Sequence, residues 1–133
     1  MSSPIERADA DVCPGDTPYS LATVTTHAVI AIPSEMRGKF CSFAATAGSG
    51  DAVDVAIRFG TSASLEVDIT SRSSVDGSSK ALTATGKEPH IVVPASGEIH
   101  RRLQGEWTHF AHESSATTGA LSFGVCQGAF GAD

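Results

Sequence analysis

Apolar and polar side chains alternate with little interruption between residues 48 and 70. Val53, Val55, Ile57 and Phe59 alternate with Ala52, Asp54, Ala56 and Arg58. After the break at "GTSA", Leu65, Val67 and Ile69 alternate with Ser64, Glu66, Asp68 and Thr70. A period of two belongs to strands that bury one face, so the passage predicts two consecutive strands with apolar rows turned to a core and polar rows turned outward. Similar runs occur elsewhere. "SLATVTTHAVIAI" (20–32) is rich in Thr, Val and Ile and ends at Pro33; "KFCSFAATA" (39–47), "HIVVP" (90–94), "EIHRRLQ" (98–104), "EWTHFAH" (106–112) and "ALSFGVC" (120–126) complete the set.

Turn residues separate these runs. Pro33 and Gly38 bracket "PSEMRGK", a loop or a single helical turn, and "GSGD" (48–51) reads as a Gly-rich hairpin turn. "ASGE" and "ESSATTG" mark two further turns. The polar stretch "SRSSVDGSSKALTATGKEP" (71–89) carries a turn signal at Asp76-Gly77 and a short strand candidate, "KALTA"; a loop of this length is expected to be functional or mobile. About eight strands at short spacing, with no convincing helix and no internal repeat, predict an all-β fold. An antiparallel β-sandwich or barrel fits, with a jelly roll among the topologies it allows. The only tryptophan, Trp107, falls close before Cys126 and far after Cys41, which does not match an immunoglobulin domain.

The chain has 133 residues, enough for one domain with its own core. Residues 1–19 hold four carboxylates, three prolines and no hydrophobic period, and read as an extended arm, disordered or ordered only against a partner. The sandwich domain is expected over 20–126, followed by a loose tail, "QGAFGAD" (127–133). No stretch has the apolar region of a signal peptide or the length of a membrane-spanning helix, so a soluble protein that engages no membrane is expected.

Nine basic residues against fifteen acidic ones leave a net charge of −6, which repels phosphate backbones and argues against a nucleic-acid partner. Arg101-Arg102 is the only dense basic pair and reads as a solvated strand edge. Cys13, Cys41 and Cys126 are too few and too irregular for a zinc or redox motif. Reduced thiols, with Cys41 and Cys126 packed as small apolar residues, are the expected state; one disulfide plus a leftover thiol is the alternative.

Candidate chemistry is sparse. Of five histidines, the tightest group is "HFAHE", with His109, His112 and Glu113. On a strand, positions three apart face opposite sides, so these two rings diverge, and the spacing misses both the helical zinc motif and the H-x-H of cupin-type metal sites. Serines occur in no nucleophile-elbow context, and no phosphate loop is present. Asp51, Asp54, Glu66 and Asp68 do not follow a calcium-loop spacing and are expected on the outward face of a sheet. No cofactor is expected. Trp107 and Tyr19 are the aromatic platforms a carbohydrate-binding module would use.

The passages "AIPSEMRGKFCSFAATAGSGDAVDVAIRFGTSASL", "HIVVPASGEIHRRL" and "WTHFAHESSATTGALSFGVC" resemble, in texture and order, small β-sandwich virion proteins of tailed bacteriophages, of the decoration or cement type. The likeness covers roughly residues 29–126. It departs at the 71–89 loop, and the acidic arm has no counterpart. The resemblance implies a non-enzymatic subunit, assembled into a virion in a bacterial cytoplasm. It would bind the major capsid protein or another virion protein in many copies, and self-associate as a trimer or dimer. A subunit at the head–tail junction or in the tail is the alternative within the same class. Side chains available for such contacts are Tyr19, Asp54, Arg58, Glu66, Asp68, Arg101, Arg102 and Trp107.

Overall fold

The computed structural model describes residues 19–46, 53–71 and 86–126. The arm before Tyr19, the "GSGD" turn, the "KALTA" strand and the C-terminal tail lie outside them. Among the described residues there are eight strands, most of them on the period-two runs: β1 (Tyr19–Ala22), β2 (Ala28–Ala31), β3 (Phe40–Thr46), β4 (Val55–Gly60), β5 (Ile91–Val93), β6 (Glu98–Arg102), β7 (His109–Ser114) and β8 (Ala120–Val125). They make two antiparallel sheets of four, in the orders β1-β8-β3-β6 and β2-β7-β4-β5. Strands whose numbers sum to nine are hydrogen-bonded neighbours: β1 with β8, β2 with β7, β3 with β6 and β4 with β5. This is one long antiparallel ribbon rolled over on itself, the jelly-roll arrangement of a β-sandwich.

The rolled ribbon corrects two local expectations. "SLATVTTHAVIAI" is not one strand; the bend at Thr25-Thr26 divides it into β1 and β2, which belong to different sheets. β3 and β4 also lie in different sheets, so these two strands do not pair as a hairpin. Among the described strands, β4 and β5 are the only consecutive two that pair with each other. β1 begins at Tyr19, one residue into the expected arm.

Inward rows of both sheets fill a continuous core. Phe43, Phe110 and Phe123 are fully buried, with ring centroids 5.3–6.0 Å apart in edge-to-face and stacked pairs. Ile57, Val55, Val93, Leu103 and Leu121 close around them. Burying each such side chain contributes about 1.5–3 kcal/mol relative to exposure. The "PSEM" segment makes one 3₁₀ turn, Ser34–Met36, that drops Met36 into the core. Gly38, at φ +73°, then lets the Lys39 N–H return to the Met36 carbonyl at 3.1 Å, a conformation that costs any residue with a Cβ. Gly119 is fixed by space: an added Cβ would lie 2.4 Å from the Thr46 carbonyl oxygen.

The second alternating run behaves differently from the expected strand. Residues 65–68 belong to no strand, and Ile69–Ser71 form a 3₁₀ turn. Leu65, Val67 and Ile69 pack as a strap against Ala56, Ala111, Val29 and Val92. Ala56 and Ala111 occupy the outer positions of β4 and β7, so the strap buries the outside of the β2-β7-β4-β5 sheet. The apolar row of this run faces inward, as alternation requires, but against the back of a sheet rather than the central core. Ala56 is fully buried for the same reason, not turned to water.

Candidate functional site

Three places on the sandwich gather polar chemistry. The first is the strap. Arg58, on the outer row of β4, donates from Nη1 to the Glu88 carbonyl at 2.6 Å and stands 4.0 Å from the Glu88 carboxylate. Glu113 of β7 accepts the Ile69 N–H at 2.5 Å, Lys87 pairs with Glu66 at 3.1 Å, and the Asp68 N–H donates to the Lys87 carbonyl at 2.9 Å. Asp68 also takes the Thr70 N–H and hydroxyl, and these two bonds hold its carboxyl below the ordinary range. Asp54 sits elsewhere, where its carboxylate accepts the Ala95 N–H at 2.8 Å and so caps the Pro94–Gly97 turn. Asp54, Glu66 and Asp68 therefore do not share one site: Asp54 holds the Pro94–Gly97 turn, whereas Glu66 and Asp68 bind within the strap and the neighbouring Lys87 segment.

The second place is the open edge where β5 and β6, each the edge strand of its sheet, leave the sandwich. Trp107 is only 8% exposed and stacks on Phe59 with centroids 4.8 Å apart. The expectation of an exposed platform at Trp107 is corrected: the indole belongs to the core. The Arg101 guanidinium lies 5.6 Å from its ring centroid, and the His90 ring 5.2 Å. His90 Nδ1 accepts the Phe59 N–H at 2.9 Å, just beyond the end of the β4–β5 ladder, so the neutral ring carries its proton on Nε2. Burial, together with the Arg58 and Arg101 charges, holds His90 below its ordinary value. Arg101 and Arg102 part company here. Arg101, opposite Cys41, faces between the sheets, whereas Arg102 is exposed on the outer face and donates to the Gly38 carbonyl at 3.2 Å.

The third place is the outer face of the β1-β8-β3-β6 sheet, which sequence reading did not single out. Ser20 and Ala22, Ala120, Ser122 and Gly124, and Ser42, Ala44 and Thr46 occupy its outward rows, all small, with Phe40 at the start of the β3 row, edge-on to His100 at 5.9 Å, and Glu98, His100 and Arg102 along β6. Ser42 donates its hydroxyl to Glu98 Oε2 at 2.8 Å, and His100 Nε2 lies 2.8 Å from the same oxygen. These bonds hold the Glu98 carboxyl below its ordinary value, with the His100 bond the larger cause. The order serine–carboxylate–imidazole is not that of a nucleophile, its base and an orienting acid, because the hydroxyl is bonded to the carboxylate and not to the ring. A recess of about 550 Å³, lined by Ala44, Ala45, Thr46, Ser96, Gly97 and Glu98, opens beside it. The signal for this cluster was present in the spacing of Glu98, His100 and Arg102; what joins them to Ser42 is the β3–β6 register.

Tyr19 is half-buried, stacked on Phe123 at 5.4 Å, and its hydroxyl is bonded to Glu35, which raises its pKa. His109 and His112 diverge across β7: His112 is buried between the sheets beside Phe110, and Glu113 points into the strap on the opposite side. Among the described residues, no three His, Cys, Asp or Glu side chains are placed to hold a metal ion. Cys41 is a buried free thiol, whereas Cys126 is disulfide-bonded, so the expectation of fully reduced cysteines is corrected for Cys126. No protein-family model matches the chain, and no curated protein or solved structure shows significant similarity to it.

Proposed function

We propose that the chain is a non-enzymatic structural subunit of a phage virion that binds and stabilises the capsid shell. The observation that carries this reading is the combination of a jelly-roll ribbon with two unlike outer faces. One face is closed by the chain's own strap, and the other offers small side chains on three neighbouring strands. Jelly rolls serve capsids, lectins and cupin-type enzymes, so fold alone does not choose among them. Lectin-type stacking on Trp107 is disfavoured by its burial, and cupin-type chemistry by the divergence of His109 and His112. A face of mostly small side chains, with Phe40 at one end, suits close apposition to another rigid protein surface, with polar Glu98, His100 and Arg102 as its rim. The resemblance to decoration proteins supplies the partner, a shell subunit present in many copies.

The reading is tested by mixing purified protein with undecorated capsids. Saturating co-sedimentation at fixed stoichiometry, with a rise in the shell's melting temperature, is expected. Ser122→Arg, on the outer row of β8, should weaken that binding about tenfold or more while leaving the subunit's own melting temperature nearly unchanged. Failure to sediment with expanded shells rejects the reading; localisation to a low-copy ring would move the subunit to the head–tail junction.

A further inference from the structure

We propose that Arg101, Trp107 and His90 form a binding site for a carboxylate, presented by an aspartate or glutamate side chain of a partner protein, at the open edge between β5 and β6. Two half-buried arginines stand near His90, and they differ in one respect. Arg58 is engaged by the Glu88 carbonyl and carboxylate. Arg101 has no carboxylate partner among the described residues; its Nε, like that of Arg58, is buried without a hydrogen bond. Its guanidinium is nevertheless held in place, 5.6 Å from the centroid of an indole that is itself fixed by stacking on Phe59. A partly desolvated guanidinium that is already oriented, with no carboxylate partner among the described residues, matches a planar carboxylate, which it can grip with two parallel N–H donors.

His90 supplies a further donor against the same indole. Because Nδ1 is occupied by the Phe59 N–H, the proton of the neutral ring sits on Nε2. The residue keeps exposed surface while its ring packs on Phe59 and Trp107. One guanidinium fork and one imidazole N–H suit a carboxylate better than a polyanion, which the chain's net charge of −6 would repel. An anion in this position would offset the Arg58 and Arg101 charges that now disfavour the imidazolium form of His90. The site stands independently of the virion reading: it can bind carboxylates whether or not the chain decorates a shell.

Trp107 is the chain's only tryptophan, so its emission reports on the site directly. The full-length protein is titrated with a blocked peptide carrying a single glutamate and, separately, with inorganic phosphate, at constant ionic strength. A saturable emission change with the peptide, and a weaker one with phosphate, is expected. Arg101→Gln should weaken peptide binding about tenfold or more, whereas Arg102→Gln, the same charge change on the opposite face of β6, should alter it less than about twofold. Equal losses in the two variants would mean general charge screening and overturn the proposal, as would phosphate binding tighter than peptide. Arg101→Lys, which keeps the charge but not the fork, covers the case in which the glutamine variant does not fold; undiminished binding there also overturns the assignment.

Discussion

Trp107 and Cys41 show how far a residue's surroundings decide its role. A lone tryptophan in a small β-protein invites a binding reading, yet this indole lies against Phe59, His90 and Arg101 and joins the central core. Trp107→Ala should therefore cost about 3–5 kcal/mol, read from denaturant unfolding, because it leaves a cavity beneath three ring and cation contacts. A loss below about 1 kcal/mol would contradict the burial. Cys41 is fully buried, and burial outweighs the nearby Arg102 charge to push its thiol up to about 12. With so little thiolate at neutral pH, it should resist alkylation in the folded protein. Cys126 is taken up in a disulfide, a state that persists in oxidising surroundings. Mass spectrometry without reductant should find no iodoacetamide adduct at Cys41 in the native chain and one at Cys41 in the denatured chain; a native adduct at Cys41 would refute the buried assignment.

The strap is the element in which local pattern and tertiary role diverge most. Val67 is 2% exposed within it, and the Glu113–Ile69 and Lys87–Glu66 contacts flank it. Val67→Asp should cost about 2–4 kcal/mol, since it removes apolar burial and places an unpaired charge against Ala56 and Ala111. Amide exchange in β4 and β7 should change less than exchange at Ile69, whose N–H is held by a side chain on the sheet; uniform loss of protection would show that the strap is not a separate layer. The all-β class and most strands were legible because Val55, Ile57 and Phe59, or Leu121, Phe123 and Val125, put every second residue into the core. That period reports only which side of an extended segment is apolar. It does not say whether Leu65, Val67 and Ile69 meet the central core or the back of a sheet, nor which strands become neighbours. The Ser42–Glu98–His100 cluster was out of reach for the same reason, since it depends on pairing β3 with a strand 56 residues later. Trp107 was misread because its burial comes from Arg101 and His90 on other segments.

At the scale of the whole molecule, the two sheets and the strap form layers whose polar groups titrate at different points on acidification. His90 and His112 are both held below the ordinary histidine value, His112 by burial alone. The unfolded chain thus takes up these protons at a higher pH than the folded one. Between the ordinary value of about 6.5 and the lower folded values, unfolding is accompanied by proton uptake, so stability falls as pH falls. Above that window the two rings are neutral in both states and add no pH dependence. Protonating His90 would remove the acceptor for the Phe59 N–H at the end of the β4–β5 ladder, and protonating His112 would place a charge among core side chains. Glu98 and Asp68, held below the ordinary carboxylate range, add a second loss at lower pH as they protonate. Melting temperature should hold steady from pH 8 to 7, decline from about pH 6.5 downward, and fall further in the carboxylate range. His90→Asn supplies an amide oxygen that can accept the same N–H without titrating, so it should flatten part of the first decline and leave the second intact. A wild-type melting temperature that stays level between pH 7 and 5 would rule out neutral His90 and His112 as a source of acid sensitivity.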